Sequence, residues 1–210
     1  TKQSLSTIVA CGMVGIIIAV VNLTSFGSTL TAAITQVGAG SLFLTLFLTM
    51  IASIILGMGL PSIPAYIITA TMAAPALAEF GMPILVAHLF VFYFGIFANI
   101  TPPVALASFA AAGLSGGNAM TTSLISVRLA IAGFMVPYLF AYQPALLMVD
   151  TSNIATNATE FPMAPISTII TVAIISIVGV IALSAAIEGY FKTHLNVVER
   201  ILLGAAALAM

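Results

Sequence analysis

Residues 42–78 read LFLTLFLTMIASIILGMGLPSIPAYIITATMAAPALA, thirty-seven positions without one charged side chain. Two apolar arms, Leu42–Leu56 and Ala65–Ala78, flank the break Gly57-Met58-Gly59-Leu60-Pro61-Ser62-Ile63-Pro64. A helix needs about 20 residues to cross the hydrocarbon core, and these arms have 15 and 14. Two full spans and a re-entrant hairpin both return the chain to the side it left; the short arms favour the hairpin. The uncharged run extends back to Lys2, so residues 3–78 carry no charge. The whole chain has 210 residues, 62% hydrophobic and 4% charged, with four basic and five acidic side chains and a net charge of −1. A soluble domain is about a quarter charged because its surface must be solvated. The composition therefore excludes soluble enzymes, secreted domains, nucleic-acid binders and disordered chains, and makes lipid the solvent. Lipid admits helices or closed barrels, and these runs are too long and too uniformly apolar for barrel strands. The predicted fold is an all-α polytopic membrane protein.

Outward from the hairpin, a first helix is predicted over residues 7–23, followed by a small-residue, Gly-rich connector to Ser41. A second long apolar segment covers 84–113, interrupted at Asn99-Ile100-Thr101-Pro102-Pro103. Further spans are predicted near 123–142 and 166–187, with another starting near Arg200, and Asp150–Glu160 is predicted to be a polar loop. The organisation is thus 1–41 helix and connector, 42–83 hairpin, 84–122 broken helix and loop, and 123–210 C-terminal helices. With 42–78 returning to its own side, Lys2, Arg128, Lys192 and Arg200 share the inner face while Glu79, Asp150 and Glu160 lie outside, as the positive-inside rule prefers. The run Ile8–Val21 lacks the cleavage pattern of a signal peptide. The lone Cys11 offers neither a disulfide nor a metal cluster. A chain that starts at Thr1 and stops at Met210 inside an apolar run is expected to be a piece of a longer membrane protein.

Both breaks are candidates for chemistry, because a broken helix in lipid is costly unless its freed backbone groups meet protein, water or an ion. Pro102 and Pro103 lack N–H groups, which predicts free carbonyls at Ala98 and Asn99, and Thr101 is pushed out of the helical region by the following proline. With the Asn99 amide oxygen and the Thr101 hydroxyl, this makes a cluster of neutral oxygens suited to a hard cation such as Na⁺. The helix restarting near Val104 turns a positive dipole end to the same place, which favours an anion. At the tip, Gly57 and Gly59 permit a tight turn, Pro61 and Pro64 free the carbonyls of Gly57 and Leu60, and Ser62 is the expected N-cap of the returning arm. The alternative is that both breaks only kink helices.

His88, beside Phe90, Phe92 and Tyr93, reads as an interfacial or packed histidine, with proton relay as the alternative. Arg128 reads as a topology determinant snorkelling to the interface, with a substrate clamp as the alternative. The methionines and phenylalanines read as packing, and Ala110-Ala111-Ala112-Gly113 as a close helix contact. Asn157-Ala158-Thr159 matches a glycosylation sequon weakly. No paired acids, His-x-x-x-His, Gly-x-Ser-x-Gly or phosphate-binding Gly-x-x-x-x-Gly-Lys occur, so no enzyme or ATP-driven pump is predicted.

Gly57-Met58-Gly59-Leu60-Pro61, Ala65-Tyr66-Ile67, Ala87-His88-Leu89-Phe90-Val91-Phe92-Tyr93-Phe94, Ile100-Thr101-Pro102-Pro103-Val104-Ala105-Leu106-Ala107 and Tyr142-Gln143-Pro144-Ala145-Leu146-Leu147 together resemble the C-terminal half of the large, DctM-like membrane subunit of tripartite ATP-independent periplasmic (TRAP) transporters, most closely the fused permeases. The likeness runs in order from about residue 25 to 205. It implies an inner-membrane permease of bacteria or archaea, a Na⁺ symporter importing an organic acid delivered by a periplasmic binding protein of the TAXI class, with a small membrane subunit as a separate or fused partner. It implies an elevator-type fold of two inverted repeats, this chain holding the second. Carried over, the ion- and substrate-binding residues would be Gly57, Met58, Gly59, Pro61 and Ser62 at the tip and Ala98, Asn99, Thr101, Pro102 and Pro103 at the break. Gly57, Ser62, Asn99 and Thr101 are the Na⁺ candidates, and no other cofactor is expected. A channel would need a polar stripe along one span, which is missing; a purely structural membrane subunit is the other alternative.

Overall fold

A computed structural model describes residues 2–38, 40–150, 163–191 and 193–209. The chain divides into two units, Thr1–Leu124 and Ile125–Met210.

The first unit opens with α1 (Lys2–Leu23), which turns through 70° at Thr24-Ser25 into α2 (Phe26–Gly38). Ser25 sits at φ 55°, and the hydroxyls of Thr24 and Ser28 donate to the carbonyls of Val20 and Ser25, each at 2.8 Å. The connector predicted here is therefore helical for most of its length. Its small polar residues suggested a loop, but Thr31, Ile34 and Gly38 recur at helical spacing and are buried, with helix-favouring alanines between them.

Ser41 caps α3 (Leu42–Gly57), its Oγ accepting from the Leu44 N–H at 3.5 Å. The returning arm is not one helix from Ala65 to Ala78 but two, α4 (Ser62–Met72) and α5 (Ala74–Glu79). Pro75 in the first turn of α5 has no N–H to donate to the Thr71 carbonyl, which ends α4. Ser62 is not the N-cap. Pro61 holds that position at φ −59° and ψ 158° with no side-chain bond, and Ser62 is already helical. The second break divides α6 (Ile84–Phe97) from α7 (Leu106–Ser115).

The core of this unit forms where α3 and α4 pack on α6. Phe90 and Phe94 are fully buried and meet edge to face at 4.9 Å, among buried Leu46, Leu77, Val86 and Val91. On the far side of the hairpin, Val14 of α1 packs into α4 against Ile68 and Met72.

The second unit begins within α8 (Ala119–Tyr142), whose start is capped by Asn118 Oδ1 accepting from the Thr121 N–H at 3.0 Å. A 3-10 turn, Pro144–Leu147, leads to Asp150; Val149 bridges Met163. Most of the predicted polar loop, with its sequon, lies outside the described residues. Next come α9 (Ile166–Glu188), a two-residue antiparallel pairing of Tyr190–Phe191 with Thr193–His194, and α10 (Val197–Ala209). Arg128 pairs with Glu188 at 3.4 Å, and both side chains are substantially exposed. Arg200 folds back on the end of α9, donating from Nε to the Ala186 carbonyl and from Nη2 to that of Ile187, each at 2.8 Å. A cation on the last carbonyls of a helix satisfies acceptors that have no partner within it and matches the negative dipole end.

Of these helices, α8 with 24 residues and α9 with 23 are each long and apolar enough to cross a membrane, and the bent pair α1–α2 qualifies when taken together. The arms α3 and α4 have 16 and 11 residues and α6 and α7 have 14 and 10. All four fall short of about 20.

Replacing Arg200 with Met should loosen α10 from α9 by about 1–3 kcal/mol, the cost of leaving charge-assisted acceptors unpaired. Amide exchange over Val197–Ala209 should accelerate while exchange over Leu42–Gly57 stays unchanged.

Candidate functional site

At the hairpin tip α3 ends with a tightened turn: the Met58 N–H donates to Ile55 O and the Leu60 N–H to Gly57 O, both at 3.3 Å. Gly59 then takes φ +77°, a conformation that disfavours any side chain. Pro61 starts the return, its carbonyl accepting from the Ala65 N–H at 3.0 Å. The Gly57 carbonyl, expected to be free, is thus taken by Leu60. Among the described residues the carbonyls of Met58, Gly59 and Leu60 receive no hydrogen bond, and neither does the exposed Ser62 hydroxyl.

The break between α6 and α7 corrects the expectation at Ala98 and Asn99. Thr101 N–H reaches the Ala98 carbonyl at 3.3 Å, and Ala107 N–H, in the first turn of α7, reaches that of Asn99 at 2.9 Å. The chain folds back on itself after Pro102-Pro103, whose peptide is cis, and Ala105 sits at φ 32°. That reversal supplies the Asn99 carbonyl with a donor, while the Ala98 carbonyl is met by a local tightened turn from Thr101 that precedes it. The acceptors left without a donor among the described residues are instead the carbonyls of Ile100, Pro102, Pro103 and Val104.

Both polar side chains of the break are fixed by what they donate. Asn99 Nδ2 donates to Ile96 O at 3.2 Å and Thr101 Oγ1 to Phe97 O at 2.8 Å. With one amide N–H and the hydroxyl proton engaged, the amide oxygen of Asn99 and the lone pairs of Thr101 are available to a ligand. All residues from 57 to 64 and from 98 to 105 are uncharged. Among the described residues no group of three or more His, Cys, Asp or Glu side chains could hold a metal.

The tip meets α6 at Gly95 and the break at Val104. Gly57 lies against Gly95, one turn before the break: a Cβ added to Gly57 would strike the Gly95 carbonyl and lie 2.8 Å from its Cα. A Cβ added to Gly59 would lie 3.6 Å from Val104 Cγ1. The returning arm arrives at the same place, since a Cβ on Gly95 would sit 3.3 Å from Thr69 Cγ2 and 3.7 Å from the Ala65 carbonyl. Both arms of the hairpin therefore converge on one glycine of α6. Sequence reasoning missed Gly95, although a lone small residue inside the aromatic run Phe90–Phe97 was a signal for close approach. It also missed Thr49, Ser53 and Ser108, whose buried hydroxyls have no hydrogen-bond partner among the described residues. Most hydroxyls in these helices bond back to a carbonyl three or four residues earlier, as Thr45, Thr69 and Thr71 do. Nothing in the local sequence distinguishes Thr49 and Ser53 from them.

A hairpin tip pressed on a broken helix, in a protein built of apolar helices, defines the class of membrane permeases with discontinuous helices. The family described as tripartite ATP-independent periplasmic transporter, DctM component, matches residues 1–154, and the chain belongs to that family. No curated protein and no solved structure matched the chain. The protein is accordingly a multi-pass membrane permease component of a TRAP transporter, a system in which the large component works with a small membrane subunit and a periplasmic binding protein.

Gly57→Ala should destabilise the protein by about 1–3 kcal/mol, because backbone rather than a flexible side chain stands where the methyl would go. Uptake should fall to background. Gly95→Ala should be far milder, since only the Thr69 methyl must yield and alanine recovers up to about 1 kcal/mol of helix propensity. By contrast, Thr49→Val removes a hydroxyl without a partner and keeps the shape, so thermal stability should hold or rise. A clear fall in melting temperature would show that this hydroxyl is paired.

Proposed function

We propose that this permease imports an organic acid together with Na⁺, and that the tip of the hairpin and the break after α6 hold the ion. The carrying observation is that Asn99 and Thr101 are oriented by donating to the carbonyls of Ile96 and Phe97 while their oxygens accept no hydrogen bond among the described residues, in an uncharged break against which the tip is packed. Neutral oxygens in a low-dielectric setting suit Na⁺, whereas proton coupling ordinarily uses a carboxylate or histidine at the site. Candidate ligands are Asn99, Thr101 and the free carbonyls beside them, with Gly57 and Ser62 across the tip; Met58, Gly59, Pro61, Ala98, Pro102 and Pro103 shape the backbone around them. The N-termini of α4 and α7 favour the substrate carboxylate. In this reading the chain forms the second inverted repeat of an elevator-type symporter in a bacterial or archaeal inner membrane. Its binding protein is of the TAXI class and its small subunit is fused or separate.

The test is Na⁺-driven uptake into proteoliposomes carrying the complete permease with its binding protein. Thr101→Val should raise the half-saturating Na⁺ concentration about tenfold, the equivalent of about 1.4 kcal/mol, and Thr101→Ser should restore it. An unchanged Na⁺ dependence in Thr101→Val removes Thr101 from the ligand set.

A further inference from the structure

Tyr66 stands one turn beyond Ser62 on α4, and His88 and Phe92 stand one turn apart on the same face of α6. The Tyr66 hydroxyl lies 3.0 Å from His88 Nδ1, and the Tyr66 ring meets Phe92 edge-on at 5.3 Å and 88°. The tyrosine is thus held at both ends, its ring by Phe92 and its hydroxyl by the imidazole. Ala65 and Thr69, on either side of it along α4, rest at Gly95. Three successive contacts fix how α4 sits on α6, and one of them is a directional hydrogen bond between residues 22 apart in sequence.

We propose that Tyr66 and His88 are positioning residues that form a latch setting the place of the hairpin tip against the break. The inference rests on the ion-site reading above for its functional consequence. The mechanical reason is local. An α-helix transmits position rigidly over one turn, so fixing Tyr66 fixes Ser62 at the start of α4, while in the rest of the tip Leu60 packs on the cluster of Val14, Ile68 and Met72 and makes no directional bond there. Packing along α4 is otherwise apolar and non-directional, and in lipid such contacts resist sliding weakly. Neither residue touches the ion; the pair acts through the tip. The imidazole uses Nδ1, so asparagine, whose Oδ1 lies near that position, can replace it, whereas glutamine places its amide nearer Nε2.

The test has two readouts on the complete permease, reconstituted with its binding protein. The first is amide exchange over Ser62–Thr69, which reports the latch whatever the coupling ion. It should accelerate in Tyr66→Phe, His88→Ala and His88→Gln and return to the native rate in His88→Asn. The second is uptake. Half-saturating Na⁺ should rise about three- to tenfold in Tyr66→Phe, with the maximal rate at saturating Na⁺ unchanged, and the double variant Tyr66→Phe/His88→Ala should be no worse than the worse single one. Unchanged exchange in Tyr66→Phe overturns the latch. Faster exchange with unaltered Na⁺ dependence overturns the positioning role and leaves a packing contact. If native uptake ignores Na⁺, the ion reading fails by itself; exchange still judges the latch, and a shift of the half-saturating substrate concentration in Tyr66→Phe then decides its positioning role.

Discussion

The contact of Gly57 with Gly95, backbone against backbone, is the constraint on which the hairpin's place depends. Lipid tails are as apolar as leucine, so helices in a bilayer gain little from hiding apolar side chains and associate through close packing instead. Here that packing is close because Gly57 has no Cβ to strike the Gly95 backbone, while the absent Cβ of Gly95 makes room for Thr69 of α4. Once α3 is seated there, Gly59 falls beside Val104 and α4 crosses the same glycine through Ala65 and Thr69. The hairpin tip and the break are neighbours because one position on α6 admits both arms.

What gathers there is polar but neutral. The nine charges of the chain stand elsewhere, four of them between Glu188 and Arg200. A formal charge at membrane depth costs several kcal/mol, whereas carbonyls, an amide and a hydroxyl already needed for the fold can serve an ion at little added cost. The same economy governs the second unit, where Arg200 spends its charge on the carbonyls that end α9.

The helices α8 and α9, the tip and the break were all legible in the sequence, because gaps between charges measure spans and Gly-Pro clusters mark where a helix cannot continue. Legibility failed where the outcome depends on distant partners. Prolines at 102 and 103 announced lost hydrogen bonds, but the chain reversal that hands the Asn99 carbonyl to Ala107 is a tertiary event. Ser62 looked like a cap by residue type, yet Pro61 already occupies that place. Residues 26–38 looked like a connector because serine, threonine and glycine dominate the eye, whereas the spacing of Thr31, Ile34 and Gly38 carried the helix. Gly95 left a local trace, a lone small residue in an aromatic run, but which segment it receives, like the pairing of Tyr66 with His88, is set by contacts between segments.

The two hydroxyls on α3 give the hairpin an asymmetry. Thr49 and Ser53 are one turn apart on a buried face, and neither has a hydrogen-bond partner among the described residues. Each carries a desolvation cost of about 1–3 kcal/mol. The returning arm bears no such cost: the buried hydroxyl of Thr69 is bonded to the Ala65 carbonyl, and Tyr66 to His88. The seam along α3 is thus locally frustrated and the seam along α4 is not.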